Sequence, residues 1–212
     1  MNRLLCVLTL LLLSACASNE QPPEGAPPPP LVEFKALEVL ETYDRLAALK
    51  GFNAEDQARI RAQLERELAT DAYKSLLIAP GVQVVGVYDS ASGGFLIKGQ
   101  AGDGLLSYGP TGAVQAVKVS GRSVGVVAGT RVSRGAFLVT GLLREAHLAD
   151  SYRMSIGDLA GGKDESRGKA HPKTAGRTHD LHLFGVVVGL SADLGTASFS
   201  LDVEAPQPAG EK

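Results

Sequence analysis

VQVVGVYDSASGGFLIKGQAGDGLLSYGP, residues 82–110, decides the fold class. Short β-branched or aromatic runs alternate with glycine, and Gly109-Pro110 closes the stretch with a turn signal. The pattern continues on both sides. Ser75–Ala79, Val82–Tyr88, Phe95–Lys98, Leu105–Tyr108, Val114–Val119, Val124–Val132 and Ala136–Thr140 all read as strands. No helical pattern of useful length separates them, so an antiparallel meander is expected rather than repeated βαβ units. Glycines inside the runs point to bulges, bends or close backbone approach, and hence to a curved sheet or small barrel.

Two helical patterns precede the strands. Ala36, Val39, Leu40, Tyr43, Leu46 and Ala47 recur with helical spacing, and Gly51 supplies the stop. Asn53 is an N-cap with Asp56 at the reciprocal position, and Ile60, Leu64 and Leu68 then recur every fourth residue. The expected architecture is therefore α+β, an N-terminal helical hairpin packed on a glycine-rich, curved antiparallel sheet or small barrel. Beyond the meander, Leu142 to Leu148 is expected to be a short helix and Tyr152 to Ile156 a strand. Gly161 to Thr178 reads as a polar loop, Leu183–Leu190 with Ala197–Val203 as a closing hairpin, and residues 205–212 as a disordered tail.

The chain has 212 residues, 44% hydrophobic and 21% charged, with 21 basic and 23 acidic side chains. A net charge of −2 gives no global pull toward nucleic acid, and 5% aromatic content leaves few stacking platforms. One domain of ordinary size is expected, spanning residues 31–204.

The first thirty residues concern address. Asn2-Arg3 is a basic n-region and Leu4 to Leu13 an apolar run too short to cross a bilayer. Leu13-Ser14-Ala15-Cys16 closely resembles the lipobox of bacterial lipoproteins. That resemblance implies a signal peptide over residues 1–15, cleavage before Cys16, and lipidation of Cys16. Ala17, rather than Asp, follows the cysteine, which by enterobacterial-type sorting implies the periplasmic face of the outer membrane. Residues 16–30 hold six of the eleven prolines and read as an extended linker of roughly 40 Å. Cys6 leaves with the signal, so the mature chain is expected to carry neither disulfide nor free thiol.

Gly94-Phe95-Leu96-Ile97-Lys98-Gly99-Gln100-Ala101-Gly102-Asp103-Gly104 resembles the glycine-rich segment of the SYLF (Ysc84-like) lipid-binding domain family. Ile78-Ala79-Pro80-Gly81-Val82, Gly121-Arg122-Ser123-Val124-Gly125 and Leu183-Phe184-Gly185-Val186 extend the likeness over roughly residues 36–203. Lys98 and Arg122 stand where the family has glycine, and Val127 where it has glutamine. The resemblance implies a compact, non-catalytic domain that binds or contacts membrane lipid. Its expected partners are phospholipid or lipopolysaccharide, with an envelope protein partner as the alternative.

Five basic residues, Lys163, Arg167, Lys169, Lys173 and Arg177, are the candidate headgroup contacts, each contributing about 1 kcal/mol near an anionic surface. Gly121-Arg122-Ser123-Val124-Gly125 matches a nucleophile-elbow spacing, with Asp150, Asp158, Asp180, His179 and His182 as formal triad partners. That chemistry needs a helix after the serine, and Val126-Val127-Ala128-Gly129 reads as strand. His171, His179 and His182 lack metal-ligand spacing and are expected to be solvated loop histidines. Neither catalysis nor a metal or cofactor is expected.

Overall fold

A computed structural model describes residues 31–69, 81–93, 95–142, 144–160 and 163–203. The expected signal peptide, Cys16, the proline linker, the strand over Ser75–Ala79 and the tail lie outside them. Two helices, α1 (Ala36–Lys50) and α2 (Ala54–Leu68), precede six strands. These are β1 (Val82–Gly93), β2 (Phe95–Tyr108), β3 (Val114–Thr140), β4 (Ser151–Ala160), β5 (Lys163–Pro172) and β6 (Asp180–Val203).

The helix ends form as the residues dictate. Gly51 takes φ 78° and its N–H meets the Ala47 and Ala48 carbonyls, a left-handed conformation that costs glycine little. Asn53 accepts from the Asp56 N–H at 2.9 Å, capping α2.

The strands form a four-ribbon sheet folded across its middle. β3 and β6 pair along their whole length, from Val117↔Val203 to Thr140↔Asp180. On the far edge of β3, β2 pairs with its first half and β1 with its second. On the far edge of β6, β5 pairs with the first half and β4 with the second. The ladder shifts register between Ser123 and Gly125 and between Ala128 and Val132, marking where β3 bends.

Folding brings the edges together. β1 zips to β2 from Val84↔Tyr108 to Gly93↔Gly99, and β4 meets β5 over Tyr152↔Pro172, Arg153↔His171 and Met154↔Ala170. β3 and β6 each supply two staves, so the ring closes as an eight-staved antiparallel barrel.

The expected α+β class is thereby corrected. The described chain is predominantly β, with two 15-residue helices against strands as long as 27 and 24 residues. Glycines read as strand ends are close-approach points inside continuous strands. A Cβ on Gly102 would lie 2.1 Å from the Asp89 carbonyl oxygen, and one on Gly104 2.2 Å from that of Val87. The expected closing hairpin is likewise one bent strand, β6. Among its described residues, the region expected to be a short helix, Leu142 to Leu148, holds a 3-10 turn at Glu145–His147 and no α-helix.

Two cores follow from strand alternation. Val84, Tyr88, Phe137, Val139, Leu181, Phe199 and Leu201 point into the barrel, with Tyr88 and Phe199 edge-to-face at 6.0 Å. Val85, Val87, Ala136, Leu138, Phe184 and Val186 point outward and meet Val39, Tyr43, Leu46, Ile60 and Leu64 from the helices. The described helices, ring and both cores lie within the expected domain, residues 31–204.

Candidate basic cleft on the outer barrel wall

Most of the segment expected to be a polar loop, Gly161–Thr178, is strand and builds the site. Lys163–Pro172 is strand β5, paired to β6 from Lys163↔Val188 to Ala170↔Leu181. Glu165, Arg167, Lys169 and His171 are exposed on its outer side, whereas Ser166, Gly168 and Ala170 alternate between them and are shielded. Neither face carries a large apolar residue, so the period-2 signal was too weak to separate this strand from a loop.

An open cleft of about 980 Å³ lies on the outer wall where β4, β5 and β6 run beside the end of α2. Glu67, Arg153, Arg167, Lys169, His171, Lys173, His182 and Phe184 line it, with Gly168 and Pro172. Cross-strand pairing sets their places. Arg153 faces His171, Lys169 faces His182, and Arg167 faces Phe184.

Of the candidate headgroup residues, Arg167, Lys169 and Lys173 come together here. Arg167 is ion-paired with Glu67 of α2. Lys169 donates to Asp180 at 2.8 Å, and His171 Nδ1 lies 2.6 Å from the other oxygen of that carboxylate. Lys163 opens β5 opposite Val188 and is not among the lining residues. Arg177 is committed elsewhere: it donates to the His147 carbonyl at 2.8 Å and to the shielded Asp150 carboxylate at 3.1 Å, tying down the loop between β5 and β6.

Burial raises the Asp180 carboxyl, but the hydrogen bonds and charges of Lys169 and His171 outweigh it and hold the group below its ordinary range. His182 forms the floor of the cleft and is 7% exposed. Burial, reinforced by the Lys169 charge, pushes its imidazole down to about 4, so it is neutral at pH 7.

His171 is solvated, though on strand β5, whereas His179 and His182 are not the solvated loop residues expected. His179 is buried at the foot of β6, where its Nε2 donates to the Tyr152 hydroxyl at 3.0 Å while that hydroxyl donates to the Leu148 carbonyl at 2.8 Å. Burial lowers its pKa as well. His182, three residues on, faces the outer cleft. Among the described residues no cluster of three His, Cys, Asp or Glu could hold a metal ion.

Ser123 sits within β3, opposite Lys98 of β2 and Ala197 of β6, and the chain continues as strand to Thr140. A nucleophile elbow requires a helix at that point. Cys16 lies outside the described residues.

Sequence reasoning missed Arg153, Glu67 and Phe184. Arg153 follows buried Tyr152 in a strand, so alternation alone would have placed it outward. Glu67 and Phe184 join the cleft only through the packing of α2 on β6, which carries no local signal.

No protein-family model matches the chain, and no curated protein matches it. Among solved structures, an uncharacterized β-barrel-like protein from Brucella abortus matches over 83% of this chain and 97% of its own. Its identity is 16% and its TM-score 0.42.

Proposed function

We propose that this chain is a lipid-anchored protein of a bacterial envelope, held at the periplasmic face of the outer membrane through acylated Cys16, whose barrel contacts membrane lipid without catalysis. The observation that carries this reading is the outer-wall cleft, where Arg153, Arg167, Lys169 and Lys173 gather beside the end of α2. A cluster of cations suits an anionic headgroup surface. The lipobox-like Leu13-Ser14-Ala15-Cys16 and the SYLF-like glycine segment support the same reading from the sequence.

A tether of roughly 40 Å confines the domain to a thin layer over the membrane, so even weak headgroup contacts are repeatedly made. The anchor is tested by metabolic labelling with a clickable palmitate. Label on the wild-type chain and none on Cys16→Ser is expected, and an unlabelled wild-type chain overturns the anchor. The contact is tested by sedimenting residues 31–212 with vesicles of phosphatidylcholine alone or mixed with phosphatidylglycerol. Retention on the anionic vesicles that declines with salt is expected, whereas equal retention on both overturns the headgroup contact.

A further inference from the structure

The four full cations of the cleft are not equivalent. Arg167 and Lys169 are already ion-paired, to Glu67 and Asp180. Arg153 and Lys173 are exposed, and among the described residues no carboxylate lies within ion-pair distance of either. The cleft thus presents two uncompensated positive charges beside the neutral imidazole of His182.

We propose that the cleft is a binding site for a phosphate monoester headgroup, with Arg153 and Lys173 holding the phosphate. This rests on the lipid-contact reading of the same wall. A phosphate monoester carries a charge of about −1.5 to −2 at pH 7, matching the two free cations. A phosphodiester neutralises only one of them. A zwitterionic headgroup brings an ammonium into a region that is already net positive. Arg153 supplies a planar fork suited to two phosphate oxygens, and Lys173 a mobile point charge. Glu67 then sets selectivity. By occupying Arg167 it keeps the cleft from collecting any anion, and a ligand reaching that guanidinium must displace a carboxylate.

The test uses residues 31–212 with inorganic phosphate, followed by amide chemical shifts, and with phosphatidylcholine vesicles containing phosphatidic acid or, at equal total charge, phosphatidylglycerol. Phosphatidic acid is expected to retain the protein about fivefold better than phosphatidylglycerol, and Arg153→Ala or Lys173→Ala to lower that retention about fivefold each. Arg45→Ala, which removes an exposed charge from α1, is expected to change nothing. Glu67→Gln is expected to strengthen binding and to narrow the preference. Both lining substitutions are at exposed positions, so the cores are untouched.

Equal retention on the two anionic lipids overturns the monoester site while leaving lipid contact standing. Arg153→Ala behaving like Arg45→Ala does the same. Shifts with inorganic phosphate at β4 and β5, lost in Arg153→Ala, with no retention on any vesicle, keep the phosphate site and overturn the lipid contact. No response to phosphate or to any vesicle overturns both proposals.

Discussion

Gly86 shows how tightly the barrel interior is filled. A Cβ at that position would lie 2.1 Å from the Phe137 ring, and one on Gly135 2.6 Å from the Tyr88 ring. Aromatic rings occupy the space that side chains would otherwise take. Gly86→Ala is therefore expected to destabilise the domain by about 1 to 3 kcal/mol through overpacking, seen as a lower denaturation midpoint in urea. Unchanged stability would mean that the Phe137 ring moves aside freely. His182 gives a second residue-scale outcome. Its folded pKa of about 4 lies below the ordinary 6.5, so between those values the unfolded chain takes up a proton that the folded chain does not. Stability is full above pH 6.5 and falls as the pH drops toward 4. His179 shares the window because its pKa is also lowered. His182→Gln should remove part of that slope in thermal melts across this range, and an unchanged slope would place the proton uptake elsewhere. Histidine spacing revealed none of this. It spoke only to metal geometry, and burial depends on which strands pack around the ring.

Between elements, the helical hairpin is fastened to the barrel by polar contacts as well as by its apolar face. Arg134 on β3 donates to Asp56 of α2 at 2.9 Å and to Asp89 of β1 at 3.2 Å. Asp56 is 2% exposed, so removing the Arg134 guanidinium takes a close cation from a buried charge. Gln63 of α2 adds a reciprocal pair with the Gly185 backbone, at 2.9 and 3.2 Å. Arg134→Met is expected to cost about 3 to 5 kcal/mol, with Asp56→Asn restoring much of the loss in the double variant. Additive losses measured by chemical denaturation would rule out the coupling. The helices themselves were legible, since Gly51, Asn53 and the four-residue recurrence of Ile60, Leu64 and Leu68 are local signals. β5 was not, because Ser166, Gly168 and Ala170 form a small-residue inner face that pattern reading takes for loop.

At the scale of the whole molecule, the sequence announced strands but not their continuity. Gly99, Gly102 and Gly104 look like punctuation, yet β2 runs through all three, and β3 and β6 run through their bends. Closure depends on β1 meeting β2 and β4 meeting β5 after the sheet folds, contacts set by register rather than by any local residue choice. The two closing seams differ in length. Ten pairs join β1 to β2, whereas the described β4–β5 ladder has three. The seam with few pairs adjoins the basic cleft. Amide exchange is accordingly expected to be faster at Tyr152–Met154 and Ala170–His171 than across the β1–β2 seam. Equal protection on the two sides would show that the short ladder is not the weaker one.

The proposed lipid contact lies on the outer wall, while the described barrel interior is occupied by its own side chains. Paramagnetic broadening of residues 31–212 by headgroup-spin-labelled lipid in anionic nanodiscs separates these two surfaces directly. The account predicts broadening at Arg153, Arg167, Lys169, His171 and Lys173, and sharp signals at Val84, Phe137 and Leu201. Broadening centred on the interior residues, or none on the β4–β5 wall, would contradict it.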